Sequence, residues 1–120
     1  MGSDPRILIA DDVPGVVRVL RRVLRRLGTV EVADGGDDPD AVFFDAVHRL
    51  SLDRPAVLVA DGIEGHGRDL ALAAMEAGVP VVAYTGSPAL FDGLDLPVVV
   101  KPAWDELVAA VADALGGTRG

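Results

Sequence analysis

Cysteine is missing from this 120-residue chain, and with it go disulfides, thiolate zinc sites and thiol nucleophiles. Long hydrophobic runs are missing too. Nothing approaches the roughly 18 consecutive apolar residues of a membrane span, and Met1-Gly2-Ser3-Asp4-Pro5 lacks the charged and apolar regions of a signal peptide. A cytoplasmic location without membrane contact follows. Net positive charge is also lacking: the chain carries −8, which disfavours nonspecific attraction to nucleic acid. Lysine is almost absent, since ten of the eleven basic residues are arginine and the one lysine is Lys101.

What is present is an ordinary globular composition, half apolar and a quarter charged, long enough for one domain with one continuous core. Short apolar runs at Arg6–Ala10, Thr29–Ala33, Ala56–Ala60, Val79–Ala83 and Pro97–Val100 alternate with amphipathic segments. Most of the runs are continuously apolar, as in parallel strands covered on both faces. Thr29-Val30-Glu31-Val32 alternates instead and suits an edge. Helices are predicted from the stripe Val16, Leu20, Val23, Leu24, Leu27, closed by Gly28 as a C′ residue, and from Asp38-Pro39 as N-cap and first-turn proline ahead of Phe43, Val47 and Leu50. Two more are predicted over Leu70–Ala77 and Ala103–Leu115, the last with Leu107, Val108, Val111, Ala112 and Leu115 on one face. Between Ser87 and Pro97 there is room for at most about two helical turns. Five β–α units in succession read as an open, doubly wound parallel sheet of the α/β class. Residues 1–5 are read as a leader, 6–115 as the domain and 116–120 as a flexible tail.

Right-handed crossovers carry every strand-to-helix loop to one edge of such a sheet, where ligands bind. Asp11, Asp12, Asp61, Thr85 and Lys101 all lie just past a strand and so can converge. Three adjacent carboxylates repel, by roughly 4 kcal/mol for a pair 4 Å apart at an effective dielectric of about 20. A cation relieves this, and all-oxygen ligands suit Mg²⁺. With it, one carboxylate can act as a nucleophile toward phosphorus while Lys101 and Thr85 bind the transferred group. Asp61 is the expected acceptor. Each residue also has a plainer reading: helix capping for Asp11, Asp12 and Asp61, a turn for Thr85, a surface position for Lys101.

Asp-Asp after the first strand, Ala33-Asp34-Gly35 after the second, Asp61 after the third, Thr85-Gly86 after the fourth and Lys101-Pro102 after the fifth resemble the receiver domain of bacterial two-component response regulators. The resemblance spans Arg6 to Leu115. It implies a flavodoxin-like (βα)5 sheet of order 2-1-3-4-5 with a shortened fourth helix. It also implies Mg²⁺ held by Asp11, Asp12, Asp61 and the Ile63 carbonyl, and phosphate accepted by Asp61 and bound by Thr85 and Lys101. The Lys101–Pro102 bond is expected to be cis. The implied protein is not an enzyme beyond its own phosphorylation and dephosphorylation, and its oligomeric state is left open, with a monomer favoured. Its partners would be a sensor histidine kinase or a histidine phosphotransfer protein.

Departures from the family pattern are specific. Val98 stands where an aromatic usually precedes the lysine by three residues. The Thr85–Lys101 segment is short, which removes part of the usual dimerisation face. The loop Gly62–Gly67 lacks the proline that usually lies four residues after the acceptor and is rich in glycine, hence read as mobile. Apolar Ile63 is expected to hinder water from reaching an acyl phosphate. His66 reads as a solvated loop residue, and Tyr84 and Trp104 as packing residues. Arg18, Arg21, Arg22, Arg25 and Arg26 form a basic stripe, balanced by Asp34, Asp37, Asp38 and Asp40 or docking an acidic partner. Two rival functions remain: an interaction module that works without phosphorylation, and an aspartate-nucleophile phosphohydrolase. The latter needs a second Asp two residues after the first, which Asp11-Asp12-Val13-Pro14 does not supply.

Overall fold

A computed structural model describes residues 4–116, in the order β1 Arg6–Ala10, α1 Pro14–Leu24, β2 Thr29–Val32, α2 Pro39–Leu52, β3 Val57–Ala60, α3 His66–Glu76, β4 Val81–Thr85, β5 Val98–Val100 and α4 Trp104–Gly116. The strands form one parallel sheet of order β2-β1-β3-β4-β5. This is the predicted topology, and the chain reverses its direction of travel across the sheet between β1 and β3. No helix of the described residues is long and apolar enough to cross a membrane. Residues 117–120, most of the predicted tail, lie outside the described residues.

Side-chain alternation along the central strands feeds two cores. Leu8, Leu58 and Ala83 point to one face, where they meet Val42 and Ala46 of α2 and Leu70 and Ala74 of α3. Ile7, Ile9, Val59 and Val82 point to the other, against Leu20 and Leu24 of α1 and Leu107 and Val111 of α4. Covered on both faces, these strands are apolar throughout, and that is why their sequences show no period of two. β2 at one edge is only partly buried, in keeping with its alternation.

Helix ends follow the sequence in part. Asp38 accepts hydrogen bonds from the backbone N–H groups of Asp40 (3.0 Å) and Ala41 (3.3 Å), and Pro39 opens α2. Gly28 does not take the left-handed conformation of a C′ cap: α1 ends at Leu24 and Arg25 is still right-handed. Glycine is required there for another reason, because a Cβ would lie 2.2 Å from the Pro5 carbonyl oxygen. Ala112 is exposed rather than part of the buried face of α4, whose stripe instead includes Ala114.

The predicted shrinkage between β4 and β5 is realised as a single 3₁₀ turn, Pro88–Phe91. Phe91, 1% exposed, inserts into the α2/α3 core in place of a helical face. Arg68 of α3 reaches across and donates from one guanidinium nitrogen to the carbonyls of Leu90 (3.0 Å) and Asp92 (2.7 Å). A turn this short buries little by itself, so these two anchors fix it. β5 is left as a thinly covered edge: Val99 is buried, whereas Val100 is 48% exposed. Phe91→Ala should therefore cost about 3–5 kcal/mol in urea denaturation. A loss below about 1 kcal/mol would show that the turn is held without it.

Candidate functional site

The sheet reversal between β1 and β3 brings the ends of these two strands side by side, and the Asp61 N–H donates to the Ala10 carbonyl (3.0 Å). Asp11, Asp12 and Asp61 thereby meet, each offering a carboxylate oxygen within 4.8 Å of the others. Asp11 is buried and the other two are partly so. Lys101 enters from beyond β5, its backbone fixed by its own N–H donating to the Thr85 carbonyl (3.0 Å). Its Nζ donates to Asp11 Oδ2 and Asp61 Oδ1, both at 3.0 Å. The Lys101–Pro102 peptide is cis, as expected.

Thr85 ends β4 almost wholly buried, and its Oγ1 accepts the Ser87 N–H at 2.9 Å. The hydroxyl keeps its proton for donation elsewhere. A Cβ placed on Gly62 would lie 3.5 Å from this oxygen, so the hydroxyl faces the backbone next to Asp61. Behind the acceptor, Gly67 in the first turn of α3 donates its N–H to the Gly62 carbonyl at 2.8 Å. A Cβ on Gly67 would sit 2.2 Å from the Asp61 carbonyl, so only glycine lets the helix start this close. The helix accordingly begins at His66, four residues before the predicted start.

Ile63 departs from expectation. Ile63 and Glu64 adopt left-handed backbone, with φ of 46° and 48°, a strained choice for a β-branched residue. This turn sends the Ile63 side chain inward, where it is 0% exposed in the α2/α3 core. A side chain packed into that core has no exposed surface to place over the acceptor, which argues against the expected shielding of an acyl phosphate from water. The Ile63 carbonyl accepts the His66 N–H, which leaves it one further lone pair.

The electrostatics follow from burial and crowding. Burial, then the charge of Asp61, push Asp11 up to about 6 despite the opposing Lys101. Burial chiefly raises Asp12 as well, with Asp61 adding to it. For Lys101 burial acts to lower the pKa, but the attraction of Asp11 and Asp61 outweighs it and the net shift is upward. The ammonium is thus firmly charged, while Asp11 and Asp12 remain under-neutralised.

Nearby residues took unforeseen parts. His66 is not a free loop residue: Nε2 lies 2.6 Å from Asp40 Oδ1, and its ring stacks on Phe43 at 4.8 Å. Asp34 pairs with Arg49, so it does not balance the arginine stripe of α1 and the turn after it; all five of those arginines are exposed and make no ion pair among the described residues. Tyr84 lies beneath Lys101, with Nζ 5.6 Å from the ring centroid, and packs on Trp104 at 5.3 Å. Its place just before Thr85 on β4 was the available signal, since alternation must turn it to the opposite face.

Comparison with solved structures sets this geometry in context. A response regulator receiver protein from Sinorhizobium medicae superposes with a TM-score of 0.76 over 98% of each chain at 22% identity. The beryllofluoride-activated DrrB receiver domain gives 0.72 at 18% identity over 93% of this chain and 97% of that one. The anti-anti-sigma factor PhyR of Bartonella quintana gives 0.72 at 21% identity, covering 97% of this chain and 50% of its own. The chain has the receiver-domain fold. No protein-family model and no curated protein sequence matches it.

The buried carboxylate generates a pH dependence. Asp11 titrates near 3.8 when unfolded and about 6 when folded, so between those values the folded protein holds the extra proton. The stability it contributes is complete below 3.8 and is lost as pH rises through about 6. In EDTA, the melting temperature should rise as pH is lowered from about 8 to about 5, and Asp11→Asn should flatten that slope. An unchanged slope in the variant would place the titration elsewhere.

Proposed function

We propose that this chain is a phosphorylation-dependent signalling switch that accepts a phosphoryl group from a phosphohistidine donor onto Asp61. The observation that carries this reading is the meeting of three carboxylates, within 4.8 Å of one another, with the only lysine of the sequence. The donor set is hard oxygen throughout, which fits Mg²⁺ rather than a softer metal. Asp11, Asp12 and Asp61 would hold the ion, with the Ile63 carbonyl as a further oxygen. Bound there, it would offset negative charge on the carboxylates and on the incoming phosphoryl oxygens.

The chain's own residues supply the rest. An Asp61 carboxylate oxygen attacks phosphorus; the P–N bond breaks, its electron pair leaves with the imidazole, and the imidazole takes up a proton. Lys101 releases Asp61 and pairs with a phosphoryl oxygen, while Thr85 donates its hydroxyl proton to another. Water later attacks the acyl phosphate, returning the carboxylate and inorganic phosphate. No other turnover is expected. A second acid at position 13 or 14 would be needed for phosphohydrolase chemistry, and those positions are Val13 and Pro14. The donor would be a sensor histidine kinase or a phosphotransfer protein, and the exposed arginines of α1 offer it a basic docking face.

Incubation with phosphoramidate and Mg²⁺ should label the protein, and EDTA or Asp61→Asn should abolish the label. An unlabelled protein that also fails to bind beryllofluoride would sink the switch and favour an interaction module that works without phosphorylation. Reversing charge at Arg21 and Arg22 should slow transfer from a phosphohistidine protein by about tenfold or more while sparing phosphoramidate labelling. Equal rates from the protein donor would remove α1 from the docking face.

A further inference from the structure

We infer that Tyr84 is a positioning residue for Lys101, its ring forming the uncharged third wall of the ammonium site. Lys101 Nζ is gripped by two carboxylates at 3.0 Å and lies 5.6 Å from the Tyr84 ring centroid, within the range of a cation–π contact. The ring is held in turn by Trp104, whose ring centroid lies 5.3 Å away. Both aromatics belong to the two backbone segments that define the site. Tyr84 immediately precedes Thr85, and Trp104 follows Lys101 by three residues, with the Lys101 N–H donating to the Thr85 carbonyl between them.

The hydroxyl explains why the ring matters. Tyr84 is 1% exposed, and its OH is the one buried side-chain polar atom among the described residues without a hydrogen-bond partner. Such an atom carries a desolvation cost with no return, so hydrogen bonding does not hold a tyrosine here. The aromatic face does offer something the carboxylates cannot. On the proposed reading, Asp61 changes from anion to acyl phosphate during the reaction, and its pull on Lys101 changes with it. A ring quadrupole is the same before and after, and so keeps the ammonium beside the acceptor when the carboxylate contact is given up.

This inference rests on Lys101 as the phosphoryl-binding cation, and its test has an arm free of phosphorylation. Tyr84 is the only tyrosine and Lys101 the only lysine, so each can be addressed singly. Replacing Tyr84 by Phe keeps the ring face, whereas replacing it by pentafluorophenylalanine keeps the shape and reverses the quadrupole. The fluorinated protein should accept phosphate from phosphoramidate about tenfold more slowly than the Tyr84→Phe protein. The second arm uses ¹³C-lysine labelling in metal-free Asp61→Asn protein, which cannot be phosphorylated. There the single lysine side-chain resonance should stay put in Tyr84→Phe and move toward the free-lysine position with the fluorinated ring. Equal resonances in the two variants would overturn the inference whatever the labelling rates, because residues that only pack would behave alike. If the resonances differ but wild type cannot be phosphorylated, the ring still positions Lys101 and the proposed switch is what fails.

Discussion

An ammonium wedged between carboxylates on two different strands is the contact around which this molecule is organised. Lys101 bridges Asp11 at the end of β1 and Asp61 at the end of β3, at 3.0 Å each. Removing one partner of so buried a set would leave uncompensated charge, the costly case for any interior ion pair. The sheet order makes the set possible. Only where the chain reverses between β1 and β3 do two strand ends lie adjacent with their loops diverging to opposite faces. Backbone bonds then hold the geometry from below, Asp61 N–H to Ala10 and Lys101 N–H to Thr85, so the side chains meet without relying on loop rigidity.

The two faces of the sheet support this edge differently. On the α1/α4 side the site rests on large rings, Tyr84 and Trp104. On the α2/α3 side it rests on close backbone approach at Gly67, a buried Ile63 and a 3₁₀ turn anchored by Phe91 and Arg68. The missing helix between β4 and β5 is felt as exposure along β5, where Val100 has lost its cover while Val99, on the opposite face, has kept it. The connection from Thr85 to Lys101 is thus short and pinned at defined points, with the Thr85 hydroxyl bound to the backbone of the same segment.

Much of this could be read from residues alone, for a physical reason. Parallel strands covered on both faces must be apolar throughout, so β1, β3 and β4 announce themselves, and each polar residue that ends such a run is conspicuous. Asp11, Asp12, Asp61, Thr85 and Lys101 were legible in this way, as was the cap at Asp38. The illegible parts depend on tertiary contact. Nothing in the local pattern around Gly28 distinguishes a left-handed cap from close approach to Pro5, and only packing tells Ala112 from Ala114. The loop after Asp61 was hardest. Its glycines suggested mobility and hid the first turn of α3, while the inward Ile63 depends on positive φ at two non-glycine residues, a choice that propensity argues against. His66 looked free because its partners, Asp40 and Phe43, come from another helix.

The local rules broken here cluster around one edge of the sheet, and their distribution has meaning. A carboxylate raised to about 6, a hydroxyl without a partner and a β-branched residue with positive φ each lower stability. The carboxylate and the hydroxyl add nothing to the cores; Ile63 does fill the α2/α3 core, but from a strained turn beside the site. Sequences that fold to one structure keep local and global preferences in agreement, and violate that agreement where a function requires it. Like charges brought together at the open end of an otherwise consistent sheet are therefore better understood as a retained binding demand than as a packing accident. The proposed switch would meet that demand with a cation among the carboxylates and a phosphoryl group beside Lys101.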